Sequence, residues 1–320
     1  MKPLFKATLV LGATLIVGSI TFWMAGRSYR AHESAASLPS SSPTNVPPPT
    51  APLARAIRGP GPVASVLAPS ARQPAPPTTP AATFAERVKR VHELPRNLSG
   101  QDIQAFLAYL AVPAASVPAD RPGENWLRNE MMDKLVETPA LPSGLVRVLV
   151  SIYQDPAQDV VMRDYAVQHM GPVYARASAP EQAVLQTTLW QAAEETASSV
   201  AGTALLVLSD LAPDYREFER SKLEEVALRL AGDDHCGELS RITALQVCGR
   251  LGLKEASPVM LQLARSAGSV PLQISAIAAL GDVGNEEARA CLRQLAQQPE
   301  PRLEPALETA LRKLNERLGT

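Results

Sequence analysis

The stretch Ala244-Leu-Gln-Val-Cys248-Gly249-Arg-Leu251-Gly252-Leu-Lys-Glu-Ala256 aligns without gaps on Ala276-Ile-Ala-Ala-Leu280-Gly281-Asp-Val283-Gly284-Asn-Glu-Glu-Ala288, 32 residues further on. The same frame recurs more weakly at Ala166…Met170-Gly171-Pro-Val173, at Ala204…Leu208-Ser209-Asp-Leu211 and at Ala310…Leu314. Successive alanines therefore stand 38, 40, 32 and 34 residues apart. A period of that size marks stacked supersecondary units. The residue types follow from helix packing. Ala is needed where a neighbouring helix crosses closely, and a larger apolar residue one turn on. Gly is expected at the helix end, in the left-handed cap that it adopts freely. Asn285 or a nearby acid then starts the next helix. One such pair cannot bury its apolar face alone, but stacked neighbours can.

Apolar residues at helical spacing continue on both sides of this stretch. They predict helices over roughly 124–137, 143–154, 159–176, 181–196, 199–212, 217–231, 238–251, 257–267, 271–283, 286–297 and 302–318. Ser99-Gly-Gln-Asp102 reads as the start of a further helix, a capping residue followed three positions on by an acid. No convincing strand run bounded by turn signals occurs. Aromatics at 4 % also argue against an all-β sandwich or barrel. The expected fold is all-α: an α-solenoid of about five to six helix pairs, with an irregular helical part over 83–158 and regular repeats over 159–320. Leu303 to Leu318 carries Arg312, Lys313, Glu316 and Arg317, as a capping helix with a polar outer face should.

Ahead of the repeats the material changes twice. After a short basic start (1–6), Ala7 to Gly26 is twenty residues without a charge, about 30 Å as a helix and enough to cross a bilayer. Phe22 and Trp23 lie near its end, Lys2 and Lys6 precede it, and Arg27 and Arg30 follow it. An uncleaved anchor is expected, with the α-amino group favouring an inside N-terminus and the bulk of the chain on the non-cytoplasmic (periplasmic) side. The alternative is a cleaved export signal, with Ser34-Ala35-Ala36 as the best small-residue triplet. Residues 27–82 are expected to be a disordered linker, since thirteen of the 29 prolines fall between Pro39 and Pro80. Pro47-Pro48-Pro49 and Pro74-Ala75-Pro76-Pro77 could also dock a polyproline-binding groove.

The net charge of -1 hides a split, about +6 over residues 1–82 and about -7 over the remainder. An acidic folded part without a long basic run argues against nucleic-acid binding, which draws its affinity from phosphate neutralisation. Three cysteines cannot build a disulfide framework.

Ala276–Ala288, followed by Cys291-Leu292-Arg-Gln-Leu295, resembles the short HEAT-like repeat of bilin-lyase-type α-solenoids. The resemblance is good over about 238–298 and fair over 159–237. Trp126-Leu-Arg-Asn-Glu-Met-Met-Asp-Lys-Leu and Arg163-Asp-Tyr-Ala-Val-Gln-His169 are similar to membrane-anchored bacterial HEAT-repeat proteins of unassigned role. The resemblance implies a non-enzymatic scaffold or adaptor, with an enzyme or chromophore- or metal-handling protein of the lyase type as the alternative. Nucleic-acid handling, known among HEAT-like glycosylases, is a remote third. HEAT-like di-iron hydroxylases place His-Glu pairs in several repeats, whereas the only such dipeptide here is His92-Glu93.

No HExxH, CxxC, GxxxxGK[ST] or GxSxG string occurs, and no catalytic residue or cofactor is assigned. Asp233, Asp234, His235 and Cys236 offer metal-ligating groups within a few residues, but also read as an inter-repeat turn. Cys248 and Cys291 are expected in the core, and a Cys236–Cys248 disulfide is conceivable only after export. His169, between Val167 and Met170, is read as packed rather than as a general base, because no acid or nucleophile is spaced to serve it. Trp126 and Trp190 are read as core. Arg163 and Arg241 each precede a repeat alanine by three residues, which would place them near one face of the superhelix with Gln168 and Gln273. That face is the candidate surface for a protein or peptide, with His169 beside it. The competing reading pairs Arg163 with Asp164 or Asp159.

Overall fold

The computed structural model describes residues 83–112, 121–266, 268–297 and 300–319. The anchor read at 7–26, the linker read at 27–82 and the polyproline strings lie outside them. Among the described residues there are thirteen α-helices and no strand. They are α1 (Phe84–Glu93), α2 (Gly100–Leu110), α3 (Arg121–Val136), α4 (Leu145–Gln154), α5 (Val160–Tyr174), α6 (Ala179–Ala193) and α7 (Val200–Leu211). The rest are α8 (Arg220–Gly232), α9 (Glu238–Leu251), α10 (Ser257–Ser266), α11 (Val270–Val283), α12 (Glu286–Gln297) and α13 (Glu304–Leu318), with a 3₁₀ turn, Lys254–Ala256, ahead of α10.

Local chemistry starts these helices where they start. Thr83 with Glu86, Ser99 with Asp102 and Ser178 with Glu181 form reciprocal capping boxes. Asn285 Oδ1 accepts from the Ala288 amide at 3.1 Å, as the sequence led one to expect. Gly252 ends α9 in the left-handed conformation, at φ 75°. Gly284 does not: its φ is -59°. Glycine is required there by space instead, since a Cβ would lie 2.5 Å from the Leu280 carbonyl oxygen and 2.6 Å from the Ala288 Cβ.

From α2 to α13 the chain makes six helix pairs. Each second helix (α3, α5, α7, α9, α11, α13) packs on the first helix of its own pair and on the next second helix along the stack, while α1 packs on α3. The repeat alanines 166, 204, 244, 276 and 310 are all buried at these crossings. Backbones come close where the repeat puts small residues. A Cβ on Gly202 would lie 2.8 Å from Ser240 Cα, and one on Gly281 2.9 Å from Ala310 Cα. First helices touch one another less than second helices do, so the row of second helices is the tightly spaced side of the stack.

Candidate functional site

Arg163, Arg241 and Gln273 occupy one register, three residues ahead of a repeat alanine in α5, α9 and α11. Two of them tie the two helices of a pair together. Arg163 Nε donates to the Tyr153 carbonyl at the end of α4 (2.8 Å), and its Nη2 reaches both carboxylate oxygens of Glu195 at 2.7 Å. Gln273 Nε2 donates to the Ala264 carbonyl near the end of α10 (2.7 Å). Each satisfies a carbonyl that a helix terminus leaves without a partner. Arg163 thus pairs within the chain, but with Glu195 rather than with Asp159 or Asp164. Asp159 caps α5 through the Val161 amide (2.9 Å), and Asp164 accepts from the hydroxyls of Ser199 and Thr203. Arg241 is half-buried, and its Nε is buried without a hydrogen-bond partner. Gln168 is half-buried at the solvent edge of α5.

His169 is buried beneath that edge, with Nε2 3.0 Å from Asn129 Oδ1. This contact assigns the neutral tautomer with its proton on Nε2. Burial pulls its pKa down to about 4, because the charged imidazolium would lose its hydration. The fold brings in an acid that sequence spacing does not reveal: Asp133 Oδ1 lies 3.9 Å from His169 Nδ1, and Asp133 Oδ2 accepts from Asn129 Nδ2 at 3.4 Å. Desolvation, then the neighbouring carboxylates of Glu130 and Glu137, hold Asp133 above the usual carboxylate range. The distance is too long for a hydrogen bond, and the ring is neutral and anchored by an amide. The arrangement positions α3 against α5.

The outward edge of the second helices carries exposed Gln246 and Ala278 between two inter-helix ion pairs. Arg250 of α9 reaches Asp210 of α7 at 2.7 Å, and Lys313 of α13 reaches Asp282 of α11 at 2.6 Å. This edge is a ladder of self-paired charges interrupted by small or neutral side chains.

The other sequence candidates separate. Asp233 Oδ1 accepts from the His235 amide at 2.9 Å, closing the turn between α8 and α9. The His235 side chain is 95 % exposed, whereas Cys236 is buried. Among the described residues no three His, Cys, Asp or Glu side chains converge in a metal-holding group. Cys236, Cys248 and Cys291 are all buried free thiols, and burial pushes Cys248 up to about 12. Trp126 is not core. It is 38 % exposed and packs its ring against Phe84 and His92 of α1, because the buried face of α3 is set by Leu127, Met131 and Leu135. Trp190 packs partly against the core, with the Lys222 ammonium 4.2 Å from its ring centre. His92 Nε2 itself donates to Glu130 Oε2 at 2.9 Å.

Sequence reasoning passed over a buried ionic cluster where α1, α2 and α3 meet. Arg87 Nη1 donates to Glu124 Oε2 (3.1 Å) and Tyr109 OH to Glu124 Oε1 (2.5 Å). Arg128, 1 % exposed, stands one helical turn from Glu124 at 3.5 Å. Both guanidinium groups lie 5.5 Å from the Tyr109 ring centre. The spacing Glu124/Arg128 was the available signal, an i, i+4 pair inside an otherwise apolar face.

The sequence model of HEAT repeats matches residues 230–312, which is α9 to α12 with the flanking parts of α8 and α13. Over those residues the chain is built of HEAT-like helical repeats. No curated protein matches its sequence. Among solved structures, this HEAT-like chain is similar to a designed armadillo repeat protein at 20 % identity and a TM-score of 0.39, over 73 % of this chain and 100 % of the other. It is also similar to human deoxyhypusine hydroxylase at 20 % identity and a TM-score of 0.29, over 73 % of this chain and 97 % of the other. At those scores neither likeness bears on activity.

Proposed function

We propose that this HEAT-like chain is a membrane-tethered, non-enzymatic scaffold that binds a protein or peptide partner along its repeat surface. The observation that carries the reading is the unbroken row of six second helices, whose outward edge combines paired charges with small exposed residues. Such an edge offers length and shape for recognition and needs no reacting group. The titratable groups that the fold buries serve the fold: His169 is neutral and held by Asn129, and Cys248 is a core thiol. The tether rests on the apolar run Ala7–Gly26 and the Pro-rich stretch behind it. Among the described residues no helix is long and apolar enough to cross a membrane. The far side of the membrane is the location that this arrangement favours for the repeats.

Native mass spectrometry of the full-length chain, purified from its own host in mild detergent, tests the proposal. A stoichiometric protein partner that is lost from an Ala278→Arg, Gln246→Glu variant of unchanged helicity is the expected result. A bound chromophore or metal mass without any protein partner would overturn it.

A further inference from the structure

Near the α12 end of the stack, the 3₁₀ turn before α10, the α11–α12 connection and the last turn of α13 frame a cleft of about 540 Å³. Three cations line it: Lys254, Arg265 and Arg317. Its apolar lining comes from Leu261, Val283 and Leu318. On the edge of the second helices, two cations are matched across successive pairs at 2.6–2.7 Å, Arg250 with Asp210 and Lys313 with Asp282. Here the matching fails. Glu287, the only carboxylate among the residues lining the cleft, is 4.0 Å from Arg265. Arg317 spends one donor on the Gly284 carbonyl, and the Lys254 ammonium makes no hydrogen bond or ion pair among the described residues. Lys254 stands at the register that Glu286 fills in the next repeat, so the charge is reversed locally within a folded part of about -7. An excess of about two positive charges is thus held over an apolar floor.

We infer that this cleft docks an acidic segment of a partner protein, with a carboxylate against the cations and an adjoining apolar side chain on Leu261, Val283 and Leu318. The inference rests on the scaffold reading and gives the partner a chemistry. Guanidinium groups bind carboxylates through paired donors, and Arg265 and Arg317 retain donors for that use. Three cations give little counterion release, which separates this cleft from a nucleic-acid surface.

The probe is a fluorescein-labelled peptide of alternating Glu and Leu, compared with its Gln/Leu counterpart, titrated by anisotropy into the full-length protein in detergent. The Glu peptide should bind, weaken as salt rises, and lose at least tenfold in affinity with Lys254→Glu or Arg265→Glu, both solvent-exposed positions. Equal binding of the Gln peptide, or unchanged binding by the variants, overturns the inference. Displacement by inorganic phosphate at equimolar concentration also overturns it, since the cleft would then recognise a bare anion rather than a segment. If the natural partner stays bound to Lys254→Glu, this site is wrong while the scaffold reading stands. If the wild-type chain carries no partner at all, it is the scaffold reading that falls.

Discussion

Gly202 marks a close approach of two second helices. It lies in the first turn of α7, and its amide donates to Ser240 Oγ at 2.8 Å, while that hydroxyl donates on to the Ser198 carbonyl at 2.8 Å. In Gly202→Ala the new Cβ would stand 2.8 Å from Ser240 Cα, 3.1 Å from Ser240 Oγ and 3.2 Å from Thr243 Cβ. The nearest atom is backbone, so relief requires α9 to move away from α7 as a body. Overpacking of this kind costs about 1–3 kcal/mol. Weakening the two buried hydrogen bonds adds about 1 kcal/mol each. Replacing Gly by Ala inside a helix returns about 1 kcal/mol. The net is a loss of roughly 2–4 kcal/mol, or about 5–15 °C in Tm for a folded part of this size. Because repeats couple only through neighbours, opening the α7–α9 joint should also split one thermal transition into two. Circular dichroism at 222 nm on the full-length chain in detergent reads both. A single transition at the wild-type temperature would show that the close approach is not a constraint.

The two aligned glycines should respond for different reasons. Gly252→Ala meets open space and costs only the left-handed backbone, about 1 kcal/mol, whereas Gly284→Ala should cost more through its clash with the Leu280 carbonyl; equal losses in thermal melts would refute the distinction. Arg163→Met removes the Glu195 pair and the donor to the Tyr153 carbonyl, and a loss of about 1–2 kcal/mol is expected, with Glu195→Gln milder; no change in either would dissolve the clamp. His169 titrates lower folded than unfolded, so protonation favours the unfolded chain. Its contribution is intact above the unfolded pKa of about 6.5 and is lost as pH falls towards about 4, up to roughly 3 kcal/mol. Stability curves of the wild type and His169→Gln should therefore converge between pH 7 and 4, and parallel curves would refute this.

What the sequence made legible was whatever repeats. The alanine frame located every second helix from α5 onward, and the Ser99–Asp102 cap marked α2 to the residue. The register of Arg163 and Gln273 was visible too, but their role was not. Their partners lie on the preceding first helix, and for Arg163 also on Glu195, 32 residues on. A one-dimensional pattern shows positions sharing a face without showing which neighbour fills it. Trp126 misled for a related reason: helical spacing to apolar neighbours is the same on either flank of the buried stripe, and α1 covers only one flank with Phe84 and His92. The Gly284 reading failed because two different needs, a left-handed backbone and absent volume, select the same residue.

The pairing of charges across repeats then explains where specificity can reside. Where an acid on one second helix faces a cation on the next, the edge neutralises itself, as Asp210–Arg250 and Asp282–Lys313 do. Such an edge can support a partner by shape, but its charges are already spent, and exposed pairs of this kind contribute little net energy. Discrimination has to come from positions where the charges are left unmatched. Lys254, where the next repeat carries Glu286, is one such position, and it sits on the cleft whose other cations are loosely matched or unpaired. Restoring the repeat by Lys254→Glu should therefore leave the fold unchanged while removing the preference for acidic ligands, because the substitution alters a surface register and no packed contact.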